Sequence, residues 1–479
     1  MTIKPSSLEN RLRLALDSRQ ARSILRSLDS IPLWVYSEED DNGKGRQILT
    51  HKLGARGQII QAGNKSDSDI LRAKKLIDFS SNDYLSLSRS AFMQQELKEK
   101  LFLPEDQSPF GPSSSRLLDG NTIIHQRLEK DLSEFFLGKS ALLFNSGFDA
   151  NVGIWSTIPG PDDWVVYDRL IHASVHDGLR LSRTRSDRRI PFQHNSPSHL
   201  KLVLDNILSL DPNVRSGKTS VFISVESLYS MDGDLCPLEE FVTLVEKAFE
   251  KYQNAYLIVD EAHSTGLYGS CGRGLVCALS LSEKILVRLH TFGKAAACSG
   301  AVVLAPPILR EYLINYARPL IFSTAMTRMS VIAIETVISE FKSVRRQKAA
   351  ESLESLSHHF SNQLSKLLNK HQIKPLTDGN TPRPRHVILT VPQSSLDILA
   401  KGIFSPIVPI LSHKPHSLAR FLFLEGYLLR PIGTPTVPPG RELVRVCLHA
   451  NQTTEQIDNI IGLLDCWIKQ HSSIQKSHL

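Results

Sequence analysis

Five apolar segments separated by helical segments dominate the middle of the sequence. They read SALLFN, DWVVYD, TSVFISVES, AYLIVDEA and KILVRLHTF, and they begin at residues 140, 163, 219, 255 and 284. Apolar strands that alternate with helices are typical of a mostly parallel sheet that helices cover on both faces. The sequence therefore predicts an α/β fold, in which ligands bind beyond the carboxyl ends of the strands.

Three helices carry clear local signals. The segment from residue 237 to residue 252 places five apolar side chains on one helical face: Leu238, Phe241, Val242, Val245 and Phe249. The segment 121–138 has Asn121 or Thr122 as its N-cap and Gly138 as its stop signal. The closing helix begins at Thr453, where the pattern T-x-x-Q predicts a capping box.

The polarity of the sequence and its pattern of predicted helices and strands change along its length, and these changes predict the division into domains. Residues 1–80 form an N-terminal segment with a polar, Gly-rich flexible insertion at 37–75. Six apolar positions suggest an amphipathic helix of the fold near the N-terminus: Leu12, Leu14, Leu16, Ile24, Leu25 and Leu28. Residues 81–330 form the large domain, residues 331–470 a smaller C-terminal α+β domain, and residues 471–479 an exposed tail.

Composition excludes several classes of function. The net charge of +7, from 56 basic and 49 acidic residues, is mild for 479 residues and does not favour nucleic acid. The six cysteines show no C-x-x-C and no metal-ligand spacing, so we expect free thiols and no metal. No apolar run reaches the length needed to cross a bilayer, so no membrane partner is expected.

Polar groups cluster where the predicted strands end. Lys294 follows one strand and precedes a run of small residues, Asp260 and His263 follow another, and His172 lies in a third loop. The segment from Ser146 to Phe148 opens a helix and aims backbone N–H groups outward, as a phosphate site requires. Taken singly, each feature has a structural alternative, such as a lysine that reaches solvent or a turn-forming aspartate.

Together these groups fit pyridoxal 5′-phosphate. A lysine amine forms a Schiff base with the cofactor aldehyde, and an aspartate keeps the pyridine nitrogen protonated. An imidazole can stack on the ring, and the helix N-terminus takes the phosphate. The small residues after Lys294 then leave space for cofactor and substrate.

Eight ordered blocks give the chain a family resemblance. They read SSNDYL, GNTIIHQRLEKDL, LIHAS, YSMDGD, VDEAHSTGLYG, TFGKAAACSGA, IFSTAM and PTVPPGRELVR. In this order they resemble the α-oxoamine synthases, which are pyridoxal-phosphate enzymes with the aspartate aminotransferase fold (fold type I). The resemblance covers residues 10–468 apart from the insertion.

The resemblance implies a role for each matched residue. Lys294, His172 and Asp260 are the implied catalytic residues, with Lys294 as the Schiff-base lysine and the acid and base. The implied cofactor-binding residues are Gly147, Phe148, His172, Ser230, Asp260, His263, Thr291, Lys294, Ser323 and Thr324. Arg445 holds the amino acid carboxylate, and Arg26 and Asn82 line the substrate entrance. Ser323 or Thr324 reaches the phosphate of a partner subunit, which implies a homodimer with shared active sites.

The implied reaction condenses an amino acid with an acyl-CoA and releases CoA and CO₂. The blocks are most similar to members that use L-alanine and pimeloyl-CoA. A glycine-using member, or one that takes a polyketide thioester, remains an alternative. Serine-palmitoyl and aminolaevulinate members fit less well, since neither a membrane segment nor a clear transit peptide is present. A catalytically inactive partner subunit would lack Lys294.

The last three residues are Ser477, His478 and Leu479, one basic-for-basic change from the peroxisomal address S-K-L. A dicarboxylic acyl-CoA substrate fits that compartment, because fatty-acid oxidation can supply such a thioester. We therefore predict a peroxisomal enzyme, with the cytoplasm as the alternative.

Overall fold

A computed structural model describes residues 7–21, 76–102, 111–376, 383–384, 387–396 and 404–476. The flexible insertion predicted at 37–75, Arg26 and the terminal tripeptide lie outside these residues. The strands are β1 Ile77–Asp78, β2 Ala141–Phe144, β3 Trp164–Asp168, β4 Arg189–Phe192, β5 Val221–Glu226, β6 Ala255–Asp260, β7 Val287–Thr291, β8 Ala301–Leu304, β9 Leu389–Thr390, β10 Ile407–Ser412, β11 Tyr427–Leu428, β12 Arg430–Ile432 and β13 Leu443–Cys447.

The central sheet has the strand order β2-β8-β7-β6-β5-β3-β4. Five strands, from β7 to β4, run parallel, and β8 is antiparallel to both of its neighbours. Neighbouring residues of one strand enter different apolar clusters: Ile223 and Val259 lie in one, Phe222 and Ile258 in the other. The sheet is therefore covered on both faces, which confirms the predicted α/β class.

Helices form these two cover layers and much of the small domain. They are α1 Ser7–Ala21, α2 Ala91–Leu101, α3 Ile123–Phe135, α4 Gly147–Thr157, α5 Ala173–Leu181, α6 Pro197–Leu210, α7 Pro212–Arg215, α8 Leu238–Ala248, α9 Leu275–Ala278, α10 Pro307–Tyr316, α11 Arg318–Ile321, α12 Arg328–Phe341, α13 Val344–Lys370, α14 Pro415–Leu424 and α15 Thr454–Lys476. The apolar face predicted for α8 is buried in the core.

The structure confirms the predicted start of α15 but not the predicted end of α3. The capping box at α15 is confirmed, because Thr453 Oγ1 accepts from the Gln456 N–H and Gln456 Oε1 accepts from the Thr453 N–H. The prediction that Gly138 stops α3 is wrong. That helix ends at Phe135, and Leu137 takes the left-handed conformation with φ of 54°. The N–H of Gly138 then bonds back to the Ser133 carbonyl, which closes the last turn.

The two alanines directly after Lys294 do not line a ligand space, contrary to the prediction. Ala295 and Ala296 are each 1% exposed and pack in the apolar core. Gly300 has a φ of 110°, and a Cβ there would lie 2.4 Å from Cε of Met326. These residues are small because a tight turn joins β7 to β8 and protein packs closely around it. The strand β8, which this interpretation missed, follows directly.

The small domain is built around the four-stranded sheet β12-β13-β10-β9. β1 pairs in parallel with β11, so the chain entering the large domain is tied to the small domain first. Helix α12 spans the boundary predicted at residue 330. Helix α1 forms near the N-terminus, but its leucines are exposed: Leu12, Leu14 and Leu16. The expectation that they pack on the fold is therefore wrong for this part of the helix.

A buried network of charges ties the large domain to the small one. His194 lies between two carboxylates, with Nδ1 2.9 Å from Asp168 and Nε2 2.9 Å from Asp234. Two residues before Asp234, Asp232 accepts from the guanidinium of Arg441 at 2.6 Å. Arg441 lies just before β13 of the small domain. The loop that carries these two aspartates is therefore held from both sides.

We expect this network to make stability depend on pH. Burial alone would lower the pKa of His194, but the carboxylates of Asp234 and Asp168 raise it well above its usual value of 6.5. The stabilisation is therefore complete below about pH 6.5 and is lost as the pH rises through the raised pKa. His194→Gln should lower the free energy of unfolding by about 3 kcal/mol near pH 6, because it leaves two buried carboxylates without their cation.

Urea unfolding of wild type and variant across a pH series checks this expectation. The difference between the two proteins should shrink as the pH rises. His359→Gln is the control, since that imidazole meets Asp458 on the surface and its loss should cost at most about 1 kcal/mol. A loss from His194→Gln that is the same at every pH would contradict the charged state assigned here.

Candidate active site

The polar groups predicted at strand ends converge on one edge of the central sheet. β5 ends at Glu226, β6 at Asp260 and β7 at Thr291, and these strands are parallel neighbours. Glu226 and Asp260 are direct partners in the register of β5 and β6. The turn after β7 presents Lys294 at the same edge. The carboxyl ends of the strands thus form a site, as expected for an open α/β sheet.

Asp260 is held in place by hydrogen bonds to both of its oxygens. Oδ1 accepts from the backbone N–H of Ala262 at 2.9 Å, and Oδ2 accepts from Asn151 Nδ2 at 2.8 Å. The Asn151 amide also donates to Ser174 Oγ at 3.0 Å, and that hydroxyl lies 2.7 Å from His172 Nδ1. Asp260 and His172 therefore belong to one hydrogen-bonded unit, and a carboxylate fixed in this way is suited to stabilise a cation.

The surroundings of Lys294 favour the loss of its ammonium proton. Burial lowers the pKa of Lys294, while the carboxylates of Asp260 and Glu226 act in the opposite direction. Burial and the nearby Asp260 raise the pKa of Glu226 well above its usual value. An amine that has lost its proton can attack a carbonyl or accept a proton from a substrate carbon.

The N-terminus of α4 forms a cradle for an anion. Ser146 caps the helix, with Oγ accepting from the Asp149 N–H at 3.0 Å. A Cβ at Gly147 would lie 2.3 Å from Cγ2 of Thr291, so only glycine fits beside that side chain. Thr291 Oγ1 is buried and has no hydrogen-bond partner among the described residues. An orphaned hydroxyl beside free helix N–H groups fits the phosphate of pyridoxal phosphate.

The other residues that are expected to contact the cofactor ring or the substrate come from both domains. His172 is the N-cap of α5, and its ring meets the Phe148 ring edge-on at 6.4 Å. Arg445, on β13, donates to Asn82 Oδ1 at 2.9 Å and to the Ser230 carbonyl at 3.1 Å. The guanidinium predicted to hold the substrate carboxylate thus lies between the entrance residue Asn82 and the loop with Ser230.

His263 is buried and uncharged in this arrangement. Its Nδ1 lies 2.8 Å from the hydroxyl of Tyr84. Burial and the positive charges of Lys294 and Arg445 lower the pKa of His263 well below its usual value. The ring is therefore a neutral hydrogen-bonding group near Lys294.

The residues implied to serve a partner subunit lie near the phosphate cradle of their own chain. Asn145, which precedes the cap of α4, donates to Ser323 Oγ at 3.3 Å and to the Thr324 carbonyl at 2.8 Å. Thr324 is exposed. The role of these two residues across a subunit boundary stays a prediction.

Sequence reasoning missed three residues that the structure brings to the site. Asn151 lies one turn inside α4, where no strand-end pattern marks it. Glu226 ends a strand that is otherwise apolar except for Ser224, and a lone carboxylate in that position was a usable signal. Tyr84 lies within the block SSNDYL that supported the family resemblance, but nothing in that block marks Tyr84 as a residue of the site.

Two further classes of site are absent from the part of the chain that the structure describes. It contains no group of three or more His, Cys, Asp or Glu side chains arranged to bind a metal ion. No described helix is long and apolar enough to cross a membrane.

Comparison with known proteins gives consistent matches. A model of the family "Aminotransferase class I and II" matches residues 74–464. The 8-amino-7-oxononanoate synthase of Emericella nidulans is 41% identical over 88% of this chain and 98% of its own length. The aminoacyl transferase sphA of Byssochlamys spectabilis is 31% identical over 87% of this chain and 86% of its own.

Solved structures match the fold, and one of the two described next holds a pyridoxal-phosphate adduct. A serine palmitoyltransferase of S. paucimobilis, solved with a pyridoxal-phosphate–myriocin aldimine, is 25% identical with a TM-score of 0.67, covering 83% of this chain and 89% of the other. The 8-amino-7-oxononanoate synthase of Francisella tularensis is 26% identical with a TM-score of 0.61, covering 83% and 99%.

The fold and the site together define a pyridoxal-phosphate-dependent transferase of fold type I. Within that class the chain belongs to the α-oxoamine synthases, which are acyltransferases. Both the family resemblance and the cofactor expected from the sequence are thereby confirmed.

Gly147→Ala tests the phosphate cradle. The added Cβ would force Thr291 away from its position, so we expect the affinity for pyridoxal phosphate to fall at least about tenfold, or about 1.4 kcal/mol. Titration of the apoprotein, followed by cofactor absorbance, measures this. Gly462→Ala is the control, because a Cβ there meets nothing within 4 Å and alanine favours a helix by about 0.5–1 kcal/mol. Unchanged affinity in Gly147→Ala would remove the cradle from the cofactor site.

Proposed function

We propose that the enzyme condenses L-alanine with pimeloyl-CoA to give 8-amino-7-oxononanoate, CoA and CO₂, a step in biotin synthesis. The observation that carries this proposal is the 41% identity to the Emericella nidulans 8-amino-7-oxononanoate synthase, which extends over 98% of that protein. The aminoacyl transferases sphA are 31% and 34% identical to this chain. The carbon count of the product name fits a seven-carbon diacyl group joined to alanine that has lost its carboxylate.

The residues of the site can perform each proton and charge movement in this reaction. Lys294 Nζ, whose pKa is lowered by burial, would accept the Cα proton of alanine. When bound, pyridoxal phosphate supplies an electron-poor ring that accepts the charge left on that carbon. Asp260, anchored at both oxygens, would hold the ring nitrogen in its protonated form. The carbon–carbon bond forms at the thioester carbonyl, the thiolate of CoA leaves, and the alanine carboxylate departs as CO₂.

Arg445 is the residue best placed to hold the alanine carboxylate. Two of its N–H groups contact Asn82 and the Ser230 carbonyl, which fixes the plane of the guanidinium. A fixed planar guanidinium binds a carboxylate with two parallel hydrogen bonds. This would orient alanine relative to Lys294, and such positioning lowers the entropic part of the barrier.

Turnover by the purified holoenzyme with a matrix of substrates tests the proposal. L-Alanine, glycine and L-serine are each paired with pimeloyl-, acetyl- and palmitoyl-CoA, and CoA release is measured together with the mass of the product. We expect the highest kcat/KM for L-alanine with pimeloyl-CoA. A higher value for another pair would assign the enzyme to a different reaction of the same family.

We further propose that the active enzyme is a homodimer with shared sites, in which Ser323 or Thr324 contacts the cofactor phosphate of the neighbour. Large apolar side chains near the phosphate cradle are exposed, including Phe148 at 44% and Phe322 at 69%. A second copy of the chain would remove them from water, which is favourable for apolar surface.

Complementation between two inactive variants tests the shared site. A chain with Lys294→Ala and a chain with bulky substitutions at residues 323 and 324 should regain part of their activity when mixed under conditions that exchange subunits. Each variant alone, carried through the same exchange, is the control. Mixtures that stay inactive after exchange has been demonstrated would eliminate sharing.

We also propose a peroxisomal location, on the basis of the final tripeptide and the dicarboxylic acyl substrate. Such an address must be the free C-terminus to be read by its receptor. A chain tagged at its N-terminus should form puncta in cells, and deletion of residues 477–479 should disperse it without changing activity in vitro. A diffuse signal from the intact chain would favour the cytoplasm instead.

A further inference from the structure

A chain of hydrogen bonds links Arg445 to His263 through two residues of the segment that follows β1. Arg445 Nη2 donates to Asn82 Oδ1 at 2.9 Å, the Tyr84 hydroxyl lies 3.1 Å from the same oxygen, and that hydroxyl lies 2.8 Å from His263 Nδ1. Tyr84 is fully buried and His263 is 4% exposed. This series of hydrogen bonds therefore crosses the interior of the site, from the small domain to the end of β6.

The chemistry of the end groups fixes the direction of every hydrogen bond in this chain. A guanidinium only donates, so the Asn82 atom that faces Arg445 must be its carbonyl oxygen. An amide carbonyl only accepts, so the Tyr84 hydroxyl must donate its single proton to that oxygen. The Tyr84 oxygen is then left as an acceptor, and His263 Nδ1 must carry the proton that it accepts.

The charge states of the two rings are consistent with this order. Burial raises the pKa of Tyr84 well above its usual value, so the phenol keeps its proton. Burial and the nearby Lys294 lower the pKa of His263, so its ring carries one proton in total. With that proton on Nδ1, the second ring nitrogen, Nε2, is a bare acceptor.

We propose that Tyr84 is a positioning residue that holds His263 in the Nδ1–H tautomer, and that Asn82 and Arg445 set the direction of its proton. His263 then presents Nε2 as a hydrogen-bond acceptor rather than a donor. The functional importance of these hydrogen bonds rests on the proposed function, because Arg445, which sets their direction, would also bind the substrate carboxylate. The tautomer itself is a property of the protein before any substrate binds.

Nitrogen NMR of the holoenzyme, labelled with ¹⁵N in its histidine rings and free of substrate, tests the proposal. The signals of His263 are assigned by their disappearance in His263→Gln. In the wild type we expect the protonated nitrogen to be Nδ1. Tyr84→Phe removes the acceptor, and Asn82→Leu frees the tyrosine proton to turn toward Nδ1, so both variants should shift His263 toward the Nε2–H tautomer.

Tyr268→Phe is the matched control. Its hydroxyl is also buried and donates to the Phe404 carbonyl at 2.8 Å. That bond is separate from the hydrogen bonds that link Arg445 to His263. Tyr268→Phe should leave the His263 signals unchanged. A proton on Nε2 in the wild type would overturn the proposal, as would an unchanged tautomer in Asn82→Leu even where Tyr84→Phe fails to fold. Because no substrate is present, these outcomes do not depend on which amino acid and thioester the enzyme uses.

Discussion

Lys294→Ala should abolish turnover and the covalent attachment of the cofactor together. The side chain is the only lysine presented by the turn after β7, and its amine is both the proposed attachment point and the proposed base. Loss of acid–base catalysis alone is expected to lower kcat about 100- to 10,000-fold, and loss of attachment adds to this. Kinetics measures the first effect. Borohydride reduction followed by peptide mass analysis measures the second, and in the wild type it should place the cofactor on Lys294.

Lys284→Ala serves as the control for this variant. Lys284 is an exposed lysine that pairs with Glu246 on the surface, away from the carboxyl ends of the strands. It should retain both activity and borohydride trapping. If Lys294→Ala still yields a reduced cofactor adduct, another lysine carries the cofactor and the site assigned here is wrong.

Asp260→Asn is expected to separate cofactor binding from catalysis. An amide cannot stabilise a positive charge as a carboxylate does, so the ring nitrogen would lose its proton and with it the capacity to store charge. We expect the variant to bind pyridoxal phosphate, seen by its absorbance, but to lose at least about 100-fold in kcat, or about 2.7 kcal/mol of transition-state stabilisation.

Asp163→Asn is the matched control for that substitution. Like Asp260, Asp163 accepts a hydrogen bond at each carboxylate oxygen, here from the N–H groups of Gly160 and Ser220, but it lies at the opposite end of the sheet, before β3 begins. It should keep near-normal kcat. Near-normal kcat in Asp260→Asn as well would contradict the role of this carboxylate in charge storage.

The sequence was sufficient for the parts of the site that depend on strand geometry alone. Parallel strands bring their carboxyl ends to one edge, so polar residues at those ends had to meet there, and Asp260, Thr291 and Lys294 do. It was not sufficient for contacts set by packing between distant segments. Asn151 reaches Asp260 from inside a helix, and Tyr84 reaches His263 from the segment after β1, and neither contact leaves a periodic signal.

For the run of small residues after Lys294, the sequence led to a prediction that the structure does not support. Small side chains fit both a ligand space and a tightly packed turn, and the sequence does not distinguish these. The buried positions of Ala295 and Ala296 decide for packing. The strand β8, which begins at Ala301 directly after this run, was not among the predicted strands.

The position of β8 has a consequence for how the chain matures during synthesis. β2 pairs within the sheet through β8, with Phe144 opposite Ala301, so it acquires this partner only after most of the large domain has left the ribosome. β2 carries the cap of α4 and therefore the phosphate cradle. The cradle should become rigid late, after the nascent chain has passed Leu304, because a pairing between segments so far apart must wait for loop closure. Translation stalled before β8 should thus release chains that do not retain pyridoxal phosphate, even though Asp260 and Lys294 are already present in them.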